Sequence, residues 1–295
     1  MTQDSHGALA RRIAAVTGRN VARLTPLAGG STVAVLRCDF ADGGAPLAVK
    51  AAGAAGQGAG GDLAIEAAML RDLGREPGLP VPAVVHEAAD LLLLGWCENE
   101  GGAPGPAGQR HLAALVAGLH ARPRPRFGYA YDTVIGRLHQ PNPEGDRWLD
   151  FFRDQRLLHM TERGRAEGSV TPDLARRLEA LAGRLDRWLD EPAHPALLHG
   201  DLWTGNVCHA GGHVTGLIDP AIYHGHPEIE LAFLTLFGTV TRDFFDAYRE
   251  RLPLDRGFLE IRRDLYNVYP LLVHVRYWDA RYARPIAALL DRLGL

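Results

Sequence analysis

The stretch Leu197-Leu198-His199-Gly200-Asp201-Leu202-Trp203-Thr204-Gly205-Asn206-Val207 decides how this chain is read. It begins apolar, turns polar abruptly and ends apolar again, the pattern of a buried strand end, a loop and a short strand. The loop holds a carboxylate, Asp201, and a carboxamide five residues later, Asn206. A second strand-like run, Val214-Thr215-Gly216-Leu217-Ile218, ends in another carboxylate, Asp219. These residue types suit one chemistry. A hydroxyl that must lose its proton needs a carboxylate within hydrogen-bond reach. A hard cation such as Mg²⁺ takes oxygen ligands, which a carboxylate and a carboxamide supply. Taken singly, each residue is also an ordinary turn former, because Asp and Asn side chains satisfy nearby backbone groups. Order and spacing together favour the chemistry: they are those of a kinase catalytic loop and its metal-binding aspartate.

Composition narrows the field. The chain has 295 residues and a formal net charge of -3, with no basic run and no aromatic-basic interleaving. No nucleic-acid partner is expected. Cys38, Cys97 and Cys208 are odd in number and far apart, which fits a reducing cytosol better than a disulfide framework. The segment Met1 to Val16 lacks a signal-peptide core, and the aliphatic run Leu91 to Leu94 is too short to span a membrane. A cytoplasmic protein with no membrane partner is expected. Lys and Arg total 32, yet Lys50 is the sole lysine. A compact ammonium kept where Arg fills every other cationic position suggests a task that a planar fork cannot perform. Lys50 ends Pro46-Leu47-Ala48-Val49-Lys50, the V-A-x-K pattern of a kinase third strand.

Upstream, Gly7 to Val16 reads as a helix, Arg23 to Leu27 and Val33 to Phe40 as strands, and Ala41-Asp42-Gly43-Gly44 as a turn. Gly29 and Gly30 lie between the two strands, where backbone N–H groups can approach phosphates. Asp62 is placed to cap a helix through Leu73, and Glu66, one turn in, is placed to hold the lysine ammonium. The bland reading of Glu66 is a first-turn residue favoured by the helix dipole. Strands follow at Ala83 to Glu87 and Leu91 to Gly95, with Trp96-Cys97-Glu98 as the hinge whose backbone would meet adenine. Gly101 to Gly108 reads as a linker, and a helix is expected from Gln109 to Ala121, with His120 packed or capping. Phe127 to Asn142 reads as an irregular surface loop. Helices are expected at Trp148 to His159, Leu174 to Leu189, Leu231 to Phe237, Arg242 to Arg251 and Phe258 to Leu272, and Pro220 to Glu230 reads as loop. Five histidines between His199 and His226 raise a zinc alternative, but His209-x-x-x-His213 spans Ala-Gly-Gly, a hairpin turn rather than a helix, and His224-x-His226 has no cysteine partner near.

Several of these segments carry a family resemblance. His199-Gly200-Asp201-Leu202-Trp203-Thr204-Gly205-Asn206 resembles the HGDLWxGN signature of the fructosamine (ketosamine) kinases. Asp219-Pro220-Ala221-Ile222-Tyr223-His224-Gly225-His226 resembles their DPAxYxGH segment. Phe127-Gly128, Asp132, Ile135-Gly136 and Gln140-Pro141-Asn142 are similar to their FG…DNxIGxxPQxN loop, and Trp148 to Leu157 to the WxxFFxxxRL that follows. The likeness runs from Gly29-Gly30 to about His274. HGDxxxxN alone fits the wider aminoglycoside and choline kinase group. Departures are Glu230 for the Asp that braces the catalytic loop, Thr133 for Asn, His139 for Pro, Gly95 for an acidic hinge residue, and no cysteine in the glycine loop.

The resemblance implies an α+β, protein-kinase-like fold of two lobes: an N-lobe over about residues 1–95 with an antiparallel sheet, a hinge and linker over 96–108, and a mainly helical C-lobe over 109–295. It implies ATP and Mg²⁺ as cofactors and phosphorylation of a sugar hydroxyl on a ketosamine. Asp201 would serve the hydroxyl, and Asn206 and Asp219 would hold the metal. Lys50, set by Glu66, would neutralise phosphates under Gly29 and Gly30. Trp203 and Asp132 are candidate substrate contacts, each with a structural alternative as a shielding ring and a turn cap. Two rival functions remain: an aminoglycoside- or choline-type kinase, which calls for an acidic pocket or aromatic cage, and a pseudokinase scaffold, which calls for a lost catalytic residue.

Overall fold

Leu36, Cys38 and Phe40 are buried while their neighbours are not, the period-two burial of a strand covered mainly on one face. The computed structural model describes residues 3–27, 34–52 and 60–295, with the backbone alone for 3–5 and 60–62. Gly29 and Gly30 lie outside it, as does the side chain of Asp62. Helix α1 (Gln3–Thr17) is followed by β1 (Val21–Pro26), β2 (Ala34–Phe40) and β3 (Leu47–Ala51), then α2 (Gly60–Leu73), β4 (Val84–Ala88) and β5 (Leu91–Gly95). The strands form one antiparallel sheet in the order β1-β2-β3-β5-β4.

The four leucines of β5 show why that run is uniformly apolar. Leu91 and Leu93 pack toward Leu9 and Ile13 of α1, whereas Leu92 and Leu94 pack toward Leu63, Ala67 and Leu70 of α2. The strand is covered on both faces, so alternation is lost. Lys50 on β3 pairs in register with Leu92 and so points to the α2 side.

After the hinge come α3 (Pro106–His120), the hairpin β6 (Thr133–Ile135) and β7 (Leu138–Gln140), α4 (Trp148–Phe151), α5 (His159–Ala166) and α6 (Pro172–Ala182). Then β8 (Ala196–Leu198), β9 (Val207–Ala210), β10 (His213–Leu217) and β11 (Tyr223–Gly225) lead to α7 (Pro227–Leu236), α8 (Arg242–Arg249), α9 (Arg263–Tyr277) and α10 (Ala283–Arg292). β9 pairs with β10, and β8 with β11, both antiparallel. One large core, including Trp148, Phe152, Leu178, Leu231, Phe244 and Tyr266, joins the helices of this half. Among the described residues no helix is long and apolar enough to cross a membrane.

Five expectations need correcting. α3 begins at Pro106, inside the supposed linker, because proline is well suited to the first helical position, where no N–H bond is lost. The same applies to Pro227, which starts α7 within the supposed loop, with His226 Nδ1 accepting the Glu228 N–H at 3.1 Å as a cap. The 220–230 segment also contains β11. The Phe127 to Asn142 loop contains a hairpin, too short to show alternation. The helix at Trp148 widens into a π-helix over Phe152–Leu158, held by side-chain packing that helical periodicity does not report. The helix expected to reach Leu189 ends at Gly183 and gives way to a 3₁₀ turn, Leu185–Arg187. Leu185 and Leu189 are buried all the same, which kept the apolar period alive past the helix.

Candidate active site

Lys50 and Asp219 lie 169 residues apart, and the fold places the Lys50 Nζ 2.5 Å from Asp219 Oδ1 and 2.6 Å from Glu66 Oε1. β3 carries the lysine, α2 the glutamate, and the turn after β10 the aspartate. Lys50 is buried at 8% exposure. Burial works against its ammonium, but the Asp219 and Glu66 carboxylates outweigh it and hold the pKa above the ordinary value. Glu66 is raised in turn by burial, with Lys50 opposing and Asp219 adding to the effect.

Asp219 is the one non-glycine among the described residues with positive φ, at 53°. Asp tolerates this left-handed region better than most residues. Backbone bonds hold it there: Ile218 N–H donates to Asn206 at 3.0 Å, and Ala221 N–H donates to His199 at 2.8 Å. These two bonds zip the Asp219 segment onto the Asp201 loop. Gly200 explains itself in the same place. Its φ is +84°, and an added Cβ would stand 2.0 Å from the Ala221 carbonyl oxygen, so no other residue fits.

Asn206 closes a 3₁₀ turn, Thr204–Asn206, and its amide donates to the Asp201 carbonyl at 2.8 Å and to Asp201 Oδ2 at 3.0 Å. Neither bond uses the Asn206 Oδ1. Burial and the Asp219 charge push Asp201 up to about 8, against the pull of the Asn206 bond. Two carboxylates, Glu66 and Asp219, thus share one ammonium. The excess negative charge is what a divalent cation would relieve, and Asp219 with Asn206 Oδ1 offers two hard oxygen ligands. Among the described residues no three His, Cys, Asp or Glu side chains converge as a protein-only metal cage requires. A cation here would share its shell with phosphate oxygens and water, as Mg²⁺ does.

The loop is braced from below by a residue whose reach sequence reading did not foresee. Glu230 Oε1 accepts the Gly200 N–H at 2.7 Å, and Glu230 Oε2 lies 3.0 Å from His120 Nε2. His120 Nδ1 in turn meets the Tyr248 hydroxyl at 3.0 Å. Glutamate therefore makes the bracing bond, and His120 is packed as expected. His199 is buried and held neutral, its pKa lowered to about 4 by burial. His209 bonds the Gly102 carbonyl, and His224 the Arg126 carbonyl.

Trp96, Cys97 and Glu98, the residues expected as the hinge, follow β5 directly. The Glu98 carbonyl accepts from Thr215 Oγ1 at 2.5 Å, and Cys97 lies against Gly216, where a Cβ would stand 2.3 Å from its sulfur. The β9–β10 hairpin therefore packs against the hinge. Trp96 sits under the Arg37 guanidinium at 4.6 Å.

Trp203 is 39% exposed, meets Phe237 edge-on at 6.0 Å, and folds back over Gly205, where a Cβ would be 2.5 Å from its ring. It shields the Asn206 turn and still presents surface. Asp132 uses both oxygens inside its own loop: Oδ1 accepts the Asn142 N–H at 2.8 Å, and Oδ2 meets His139 Nε2 at 2.9 Å. That bonding is a turn cap's. The other motif residues of this loop form a network. Gln140 donates to Ala221 O at 3.0 Å and to Thr133 Oγ1 at 2.7 Å, and accepts from the Tyr269 hydroxyl at 2.5 Å. Thr133 Oγ1 donates to Ile222 O at 3.2 Å. Asn142 donates to Thr133 and accepts from Arg156, which is fully buried among Phe151, Tyr223 and Tyr269.

A five-stranded antiparallel sheet with a lysine-bearing third strand, set against a helical half that carries this loop, defines a protein-kinase-like phosphotransferase. The solved macrolide 2'-phosphotransferase type I shares the fold, with a TM-score of 0.66 at 17% identity over 99% of this chain and 98% of that one. Within that class the family model for fructosamine kinase matches residues 10–294, and the chain belongs to the fructosamine kinase family. It is 34% identical to a protein of Enterococcus faecium named as a ketoamine kinase, over 75% of this chain and 79% of that one. A Thermobifida fusca structure described as a fructosamine-3-kinase superposes with a TM-score of 0.84 at 34% identity, covering 96% of each chain. The protein is a kinase.

Proposed function

We propose that this kinase transfers the γ-phosphoryl group of ATP to a sugar hydroxyl of a ketosamine, a sugar joined through its first carbon to an amine. The observation that carries the reading is the convergence of Lys50, Glu66 and Asp219 beside the Asp201–Asn206 loop. Asp201 orients the acceptor hydroxyl and takes its proton. Lys50 offers its ammonium to the α- and β-phosphates, and Glu66 sets its position. Asp219 and Asn206 would hold Mg²⁺, which supplies charge neutralisation at the phosphate oxygens. The hinge backbone from Trp96 to Glu98 is assigned to adenine, and Gly29 and Gly30 to the phosphates. Trp203 gives an indole to the apolar sugar face and to the amine cation, and Asp132 caps the 127–142 loop. With Lys50, Asp201, Asn206 and Asp219 all present, a non-catalytic scaffold is disfavoured. With no disulfide among Cys38, Cys97 and Cys208, a reducing cytoplasm is the proposed setting.

The test is comparative. kcat/KM is measured with ATP for fructosamine, ribulosamine, free fructose and an aminoglycoside. The amine adducts are expected to lead. A preference for the aminoglycoside, or free fructose turned over as well as its adducts, would reject the ketosamine assignment. Omitting Mg²⁺, or substituting Lys50→Arg, is expected to abolish most turnover, because a planar fork does not replace a point charge among crowded phosphates.

A further inference from the structure

Helix α2 makes contacts on two sides of the molecule. Glu66, in its middle, holds Lys50. Its last turn is bonded to the other half. Asp72 Oδ2 accepts from the Tyr129 hydroxyl at 3.0 Å and from the Tyr131 hydroxyl at 2.8 Å. The two rings meet edge to face at 5.0 Å, and Tyr129 meets His224 the same way at 5.0 Å. Burial, and then the Asp72 carboxylate, raise both phenols well above their ordinary pKa, so they stay protonated and donate. Just past the helix, Glu76 accepts from Arg122 at 2.8 Å and from Arg124 at 2.6 Å. Beside these anchors Met69 and Leu73 belong to one apolar cluster with Leu119, Val134, Leu197 and Ile222. Val134 lies in the 127–142 loop, and Leu197 and Ile222 flank the segments that carry Asp201 and Asp219. The helix that sets the lysine is thus fixed at its far end by the 127–142 loop.

We propose that Asp72, Tyr129 and Tyr131 form a positioning clasp through which the 127–142 loop sets α2, and with it Glu66 and Lys50. The proposal rests on Lys50 being the nucleotide contact. None of the three clasp residues touches the reacting atoms. They act through Glu66. Without the two hydroxyls that end keeps the Glu76 bonds and the apolar cluster but loses its polar tie to the 127–142 loop, and its setting loosens although nothing near Lys50 has changed.

Tyr129→Phe with Tyr131→Phe removes only the two hydroxyls. Calorimetric titration with Mg-AMP-PNP, without acceptor, reads the nucleotide side alone. The double variant, shown folded by circular dichroism, is expected to bind about tenfold more weakly than wild type. Asp72→Asn keeps one accepting oxygen and is expected to fall between the two. In a Glu66→Gln background the two Phe substitutions should add nothing, since the clasp works through that carboxylate. A merely structural role lowers the melting temperature and leaves the dissociation constant of the folded fraction unchanged. A folded double variant within twofold of wild type, or losses that multiply in the Glu66→Gln background, would overturn the clasp while leaving the nucleotide reading intact. Wild type that binds no Mg-AMP-PNP would overturn both. Tyr131→Phe alone serves if the double variant does not fold. It is expected to weaken binding three- to fivefold, and affinity within twofold of wild type overturns the proposal.

Discussion

The short segment from Asp219 to Ile222 is held at its two ends by different physics. At one end Asp219 meets Lys50, which Glu66 shares. At the other, Ala221 and Ile222 give their carbonyls to Gln140 and Thr133, neutral groups that continue through Tyr269 and Asn142 to Arg156. The first end is a cluster of charges with a negative excess, which in the proposed function takes a cation and phosphates. The second is a polar network bonded almost throughout, with Arg156 Nε its one buried atom without a partner among the described residues. The ionic end therefore governs turnover, and the amide end governs shape and stability. A buried network is costly to leave half-made, whereas an ion cluster at a cleft can be altered with the fold intact.

The largest effect is expected at the reacting carboxylate. Asp201→Asn should lower kcat by about 10²–10⁴, the usual worth of a general base. Thermal stabilisation by Mg-ATP should persist, because Asp219, Asn206 and Lys50 are untouched. Retained turnover would remove Asp201 from the chemistry. Gln140→Leu is the counterpart. It leaves the Ala221 carbonyl and the Tyr269 hydroxyl without their partner, at about 1–3 kcal/mol for each orphaned group. The melting temperature should drop by several degrees. KM for the acceptor should rise while KM for ATP holds. If Gln140→Leu lost kcat with no change in stability, the division between the two ends would fail.

That division also explains what the sequence disclosed. A sole lysine at a strand end, and Asp-x₄-Asn followed by Asp after a hairpin, are patterns that few other purposes produce. Lys50, Glu66, Asp201, Asn206 and Asp219 were accordingly legible as candidates, and the two-lobed fold followed from the family resemblance. Gln140, Thr133 and Tyr269 are residues found anywhere, and only the tertiary structure says what each bonds. The Tyr129–Asp72 and Tyr131–Asp72 contacts cross 57 and 59 residues and have no local signature. Helix starts at Pro106 and Pro227 were missed because proline signals both loop and first helical position. Arg156 was visible within a motif, but its full burial without a carboxylate partner contradicts the surface habit of Arg.

Glu230 stands between the two regions, touching the catalytic loop through backbone alone. Glu230→Asp shortens the side chain by one methylene. The carboxylate then cannot span from Gly200 N–H to His120 as the glutamate does. The expected loss is about 1–2 kcal/mol, that of one charged hydrogen bond weakened in the interior. It should appear in kcat more than in KM, since the Asp201 loop loses its brace while both binding surfaces remain. A variant with unchanged kcat would show that the loop is held well enough by its bonds to Ala221 and Asp219's neighbours.

The smallest effect is one of pH, and it bears on the charge excess itself. Asp201 is pushed up to about 8 by burial and by Asp219. The proton acceptor is the ionised form, so kcat/KM should fall as pH falls through the apparent pKa. A cation held by Asp219 and Asn206 offsets the Asp219 charge and favours ionised Asp201. The acid limb should therefore move to lower pH as Mg²⁺ is raised toward saturation. At pH 7 the gain has a ceiling of about tenfold, because a group of pKa 8 is already ionised to about one part in ten there. The same shift has a sign in stability. Its folded pKa lies above the ordinary 3.8, so the folded chain holds the Asp201 proton more tightly than the unfolded one. This contribution is fully present below about pH 4 and is lost as pH rises through about 8. Without Mg²⁺, wild type should lose melting temperature relative to Asp201→Asn across that window, since the amide has no proton to give up. An acid limb indifferent to Mg²⁺, together with a constant gap between the two melting curves, would show that the negative excess is neutralised by something other than the cation.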